Sequence, residues 1–303
     1  MSVKAIHPAE RADTQQLIRG RVRLGEMEIT VLSDGVLLLD GGAMFGVIPK
    51  PLWQERAKPD AENRILLGTN TLVVRVGKHT VVVETGLGNK LDAKARDYYG
   101  AQQLLPSAFA AASIPLDEVD VVINTHLHFD HCGWNTTRGD DGYITPTFPN
   151  ARYYAPRGEV DHGRKQLERD RMSYHAADYE PLIASGQMTL LDGPDTIVPG
   201  IAVDTYPGHT EHMMAVCFDS GGQRGCYISD LIPTSAHLDI TWCTGYDLDP
   251  LTVIEQRKRF YARAIPEHWL VFFTHDHDLP FCQVVLNDKG KLEARRVGSE
   301  TIL

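Results

Sequence analysis

Short apolar runs alternate with polar, turn-forming stretches along this chain, and the runs follow two different periods. Met27–Leu32, Thr71–Val76 and Thr80–Glu84 are rich in β-branched residues and bounded by turn formers, which predicts strands. Ser33-Asp34-Gly35 reads as the end of the first, and Gly77-Lys78-His79 reads as a hairpin connection between the other two. Asp120–Asn124 predicts a buried strand, and Ala151–Ala155, Ile201–Thr205, Met213–Phe218, Gly225–Ser229 and Trp269–Phe273 repeat the pattern. Helical spacing is expected in three places. Pro106–Ser113 is stopped by Ile114-Pro115, and a charged stretch runs from Pro156 to about Arg171. In Leu251–Ala264, residues Val253, Ile254, Arg257 and Phe260 fall on successive turns before Pro266. Strand clusters in both halves, with helices between them, predict one mixed α/β (α+β) domain over residues 21–303, with residues 1–20 as an N-terminal arm.

Composition narrows the partners. The 303 residues carry 40 acidic against 30 basic side chains, a formal charge of −10. This balance argues against nucleic acid, whose phosphates need clustered Lys and Arg, and against an anionic membrane surface. A small-molecule substrate is the expected partner. The cysteines (Cys132, Cys217, Cys226, Cys243, Cys282) are odd in number and form no CxxC pair, so reduced thiols in a cytoplasmic protein are expected. The N-terminal residues lack the apolar core of a signal peptide, and no apolar run is long enough to span a bilayer.

The densest chemistry lies in Thr125-His126-Leu127-His128-Phe129-Asp130-His131, directly after the predicted strand Asp120–Asn124. Alternate positions on extended chain share a face, so His126 and His128 can point together. The chain must then curl for Asp130 and His131 to aim at the same place. Imidazole and carboxylate donors of this kind suit zinc, with iron, manganese or cobalt as alternatives. Further donors have to come from later segments. His209 in Tyr206-Pro207-Gly208-His209-Thr210, Asp230 and His275 each follow a predicted strand, a location that active sites in open sheets use repeatedly. His212 and His277 compete with His209 and His275. His7, His79, His162, His175, His237 and His268 read as surface or structural residues, and Cys132 as packing beside the metal loop.

The His-x-His-x-Asp-His segment followed by His209, Asp230 and His275 resembles the metallo-β-lactamase superfamily over roughly residues 22–285. The resemblance implies an αββα sandwich with a dinuclear site at one edge of the central sheets. It implies two divalent ions, zinc first: one held by His126, His128 and His209, the other by Asp130, His131 and His275, with Asp230 bridging. Val83-Glu84-Thr85-Gly86 resembles the family's strand-end motif with Glu84 in place of the usual Asp, and implies a role in supporting the ligand loop. The expected activity is hydrolysis by a metal-bridging hydroxide, with Asp130 or Asp230 assisting proton transfer.

The chain is most similar to the branch holding quorum-quenching lactonases and methyl-parathion-type phosphotriesterases, so a lactone or ester of a small molecule is the first expectation and a phosphotriester the second. Lactonases of the acyl-homoserine type often carry a Tyr three residues past the bridging Asp; here that position is Pro233. Tyr206, Tyr227 and Tyr246 are the alternative hydroxyl sources, although tyrosines so placed are more often core or rim residues. Gly42–Pro49 and Leu238–Trp242 are expected either to line an apolar pocket or to serve as a dimer contact or plain packing. Redox di-iron relatives usually carry Glu where this chain has His128, which lowers that reading. A non-catalytic, metal-stabilised binding protein is the competitor from another class. A homodimer is expected by analogy.

Overall fold

The computed structural model describes residues 17–298. Strands β1 (Ile18–Leu24), β2 (Met27–Asp40), β3 (Arg64–Val76), β4 (His79–Val83) and β5 (Val121–Ile123) belong to the first large sheet. A separate small hairpin, β6 (Thr136–Arg138) and β7 (Ile144–Pro146), interrupts it before β8 (Arg152–Pro156) and β9 (Met188–Leu191) complete the order β1-β2-β3-β4-β5-β8-β9. The second large sheet runs in chain order from β10 (Asp195–Val198) through β11 (Ile201–Thr205), β12 (Met214–Ser220), β13 (Gln223–Tyr227), β14 (Leu270–Phe272) and β15 (Phe281–Leu286) to β16 (Leu292–Arg296).

Period two along the strands explains the layers. On β3 and β4, Leu72, Val74, Val81 and Val83 face the opposing sheet, while Val73 and Val82 face outward under helices. On β12, Met214, Val216 and Phe218 face the first sheet, and Ala215 and Cys217 face the other way. The inter-sheet core therefore joins β1–β5 to β11–β15. The outer face of the first sheet is covered by helices Leu105–Ala111, Arg157–Lys165 and Glu180–Ala184, and that of the second by Pro250–Ala264. This is the αββα sandwich.

Several boundaries differ from the pattern-based expectation. β2 does not end at Ser33-Asp34-Gly35; it passes through a bulge there, with Gly35 at φ 108, and continues to Asp40. Asp34 is buried because it accepts from the Leu87 and Leu105 amides and from Trp134 Nε1, so the turn-like residues serve a kink. β3 begins at Arg64 rather than Thr71. The charged helix stops at Lys165, because Gln166 adopts the left-handed conformation and ends it. Of the expected arm, residues 1–16 lie outside the described residues, whereas Ile18–Gly20 belong to β1 and pair with β2. The alternation that buries Val22 and Leu24 carries that strand.

Candidate metal centre

Parallel pairing of β5 with β4 and β8 delivers Asn124 and Thr125 to the sheet edge. There Glu84 Oε1 accepts from the Thr125 amide at 2.8 Å, and the Thr85 amide donates to the His131 carbonyl at 2.7 Å. The expected curl is a single helical turn, Phe129–Cys132, entered from His128. It swings Asp130 and His131 back toward His126. The turn is pressed so closely on its neighbour that a Cβ at Gly133 would lie 2.2 Å from the Leu87 carbonyl carbon.

The remaining donors arrive from the second sheet. His209 lies in the β11–β12 loop after Gly208, whose φ of 134 and closeness to Val253 both demand glycine. Its Nδ1 is 3.0 Å from Asp247 Oδ1, which turns Nε2 inward. Asp230 sits in a 3₁₀ turn, Ser229–Leu231, past the end of β13. His275 follows β14; its Nδ1 donates to the Gly68 carbonyl at 3.0 Å, so Nε2 is the free face. Asp276 secures the same loop by accepting from the amides of Ser235, Asp278 and Leu279.

All seven expected residues converge. The donor atoms of His126, His128 and His209 lie within 4.8 Å of one another, as do those of Asp130, His131 and His275. Asp230 stands between the groups: Oδ2 is 3.3 Å from His209 Nε2 and 3.5 Å from His131 Nε2, and Oδ1 is 3.3 Å from His275 Nε2. His128 Nδ1 faces His209 Nε2 at 3.3 Å, and His131 Nε2 faces His275 Nε2 at 3.2 Å. Two imidazole nitrogens bound tetrahedrally to one zinc at about 2.0–2.1 Å stand about 3.3 Å apart, so these spacings fit a cation. His126 Nε2 is buried without a hydrogen-bond partner among the described residues, a state that metal binding relieves. The donor set fits divalent metal ions.

Electrostatics divide the cluster. Burial, reinforced by His131 and neighbouring imidazoles, pushes His126 well below the ordinary histidine range; burial and His209 do the same to His128. Burial also opposes protonation of His131 and His275, but Asp230, with Asp130 helping, outweighs it and raises both. Burial would raise Asp230, yet His131, His275 and His209 together hold it well below the ordinary carboxylate range. Positive charge is thus stabilised beside the carboxylates, where a divalent ion would take over from protons.

The centre opens into a cavity of about 110 Å³, with Leu37, Leu39, Met44, Phe129 and Leu248 as apolar wall and Tyr99, Tyr246, Arg169 and Ser173 as polar rim. Pro233 lines it, and of the three tyrosines considered only Tyr246 reaches it; Tyr206 and Tyr227 are fully buried, the latter donating to the Asn70 carbonyl. Met44 is the one residue of Gly42–Pro49 in the lining. Phe45 stacks on His237, and Leu238–Trp242 packs away from the cavity. The competing histidines stay outside: His212 is 41% exposed beside Glu211, and His277 uses its carbonyl to accept from Arg19. His79, His162 and His237 have structural partners in Asp120, Asp170 and Thr234. Cys132 is buried, with its thiol toward the Leu127 carbonyl. His7 lies outside the described residues. Sequence reading missed Asp247 and Glu159, because each acts through partners far away along the chain.

A family model described as the metallo-beta-lactamase superfamily matches residues 64–275. The chain belongs to the metallo-beta-lactamase superfamily. With the clustered donors, this membership makes it a metal-dependent hydrolase. Among solved structures, it is similar to a probable metal-dependent hydrolase from Staphylococcus aureus (26% identity, TM-score 0.82, covering 91% of this chain and 99% of that one). It also shares its fold with AidC, a dizinc quorum-quenching lactonase in complex with a product (19%, TM-score 0.76, 93% and 98%). A third relative in fold is the hydrolase AbOPH of the beta-lactamase superfamily (19%, TM-score 0.77, 92% and 98%). No described helix is long and apolar enough to cross a membrane.

Proposed function

We propose that this hydrolase is dinuclear and cleaves a lactone or carboxylic ester of a small, largely apolar molecule. The observation that carries the reading is Asp230, within 3.3 Å of His209 on one side and of His275 on the other, at the floor of an apolar-walled cavity. His126, His128 and His209 would hold one ion and Asp130, His131 and His275 the other, with Asp230 within reach of both groups; zinc is the first choice of metal. When bound, the ions supply Lewis acidity toward the substrate oxygen and make water nucleophilic near neutral pH.

The chain's own residues do the rest. Leu37, Leu39, Met44, Phe129 and Leu248 take up the acyl or alkyl part and exclude bulk water. Asp130, whose side chain is 13% exposed and faces the cavity, accepts the proton that the attacking water loses and returns it to the leaving alkoxide. Tyr246, at the rim, offers the hydroxyl that Pro233 cannot. The fold shared with a dizinc quorum-quenching lactonase supports the choice of lactone, and a neutral carbonyl substrate suits the apolar wall.

The test is turnover of the zinc-loaded protein on lactones, aryl esters and phosphotriesters, beside His128→Ala and Asp230→Ala. Lactone or ester cleavage that falls about a thousandfold or more in both variants is expected. Turnover of triesters alone would move the assignment to phosphotriester hydrolysis. Unchanged activity and metal content in both variants would overturn the ligand set.

A further inference from the structure

Helix Arg157–Lys165 sends a carboxylate into the space between the two loops that carry the first group of donors. Glu159 is fully buried. Its Oε1 accepts from Thr210 Oγ1 at 2.6 Å, and its Oε2 accepts from Tyr174 Oη at 2.9 Å and from the Leu127 amide at 3.3 Å. Thr210 is the residue after His209, and Leu127 lies between His126 and His128. Tyr174 in turn packs its ring 4.9 Å from that of His128. The helix is held against the His209 loop closely enough that a Cβ at Gly158 would collide with the His212 ring at 2.1 Å. Its hydrogen-bond partners among the described residues are all neutral donors, so Glu159 is an acceptor shared by three segments.

From this geometry we infer that Glu159 is a positioning residue for metal binding: it fixes the separation between the His126–His128 strand end and the His209 loop. The inference rests on the proposed assignment of those three histidines to one ion. The chemistry requires acceptors on both oxygens. A glutamine of the same shape keeps one acceptor and turns an amide NH₂ toward the donors on the other side. One loop is then released, and the donors no longer close on an ion in one geometry.

The experiment is zinc competition against a chromophoric chelator, with the d–d absorption of the cobalt-loaded protein as a second readout and thermal unfolding of the metal-free protein as a fold control. Wild type, Glu159→Gln, Thr210→Val and Tyr174→Phe are compared. Glu159→Gln is expected to raise the dissociation constant of one zinc by about tenfold to a hundredfold and to change the cobalt spectrum. Thr210→Val, which removes a single bond to Oε1, should give a smaller loss of the same kind. If Glu159→Gln does not fold, Thr210→Val carries the test alone. Variants with lower unfolding midpoints but unchanged zinc affinity and cobalt spectrum would show a merely structural role and overturn the inference, leaving the hydrolase assignment intact. A wild type that binds no metal would overturn both.

Discussion

Glu159 in the outer layer of the first half and Arg257 in that of the second are both fully buried charged side chains, and the two do opposite things. In the first half, Glu159 accepts from side chains and an amide of three separate segments, two of them carrying donor histidines. In the second, Arg257 of helix Pro250–Ala264 is equally buried but donates to backbone carbonyls of one stretch, Leu231, His237, Asp239 and Trp242. That stretch leaves Asp230 and has little regular structure of its own. Its carbonyls would be orphaned inside the protein without the guanidinium. The contrast teaches that burying a polar group serves different ends: Arg257 folds a loop that no sheet or long helix can satisfy, and Glu159 sets the spacing of loops that are already folded.

If this division holds, Arg257→Ala should be the more damaging change to the fold. Several carbonyls lose their partner at once, so a loss of about 3–5 kcal/mol in urea unfolding is expected, while the protein that remains folded binds zinc as before. A loss of zinc affinity without a loss of stability would break the comparison. A second effect concerns pH. His237, whose carbonyl serves Arg257, is neutral and buried with Nδ1 at Thr234 and Nε2 donating to the Met44 carbonyl. Burial lowers it to about 3. A histidine depressed in the fold stabilises above its unfolded value of about 6.5, and that stability is lost as pH falls toward about 3, at about 1.4 kcal/mol per unit. Unfolding of the metal-free protein followed from pH 7 to 4 should show this slope, reduced in His237→Asn; an equal slope in both would place the titration elsewhere. Smallest of all, Tyr174→Phe removes one hydroxyl from Glu159 and should cost about 1 kcal/mol in the metal-free protein. A loss as large as that of Arg257→Ala would make the Glu159 network a folding device after all.

How far the sequence speaks follows the same line. His126, His128, Asp130 and His131 are legible because four donors fall within six residues, and His209, Asp230 and His275 because each follows a strand. Arg257 stands out on an otherwise apolar helical stripe beside Val253 and Phe260, which is a signal, although nothing local tells which carbonyls it meets. Glu159 gives no signal: in a charged stretch it looks like a solvated helix face, and its partners at 127, 174 and 210 meet only in the folded chain. Asp34 misleads for a related reason, since Ser33-Asp34-Gly35 has turn chemistry but sits in a bulge where three distant donors bind its carboxylate. β1 is not expected from the sequence: residues 1–20 read as an arm, and the alternation of exposed Arg21 and Arg23 with buried Val22 and Leu24 is too short to stand out.

Whether two ions share Asp230 is best asked by anomalous diffraction at the zinc edge from crystals of the loaded protein. Two peaks about 3.5–4 Å apart are expected, one against His126, His128 and His209, the other against Asp130, His131 and His275, with an Asp230 oxygen reaching each. One peak alone, or peaks away from these side chains, would contradict the account.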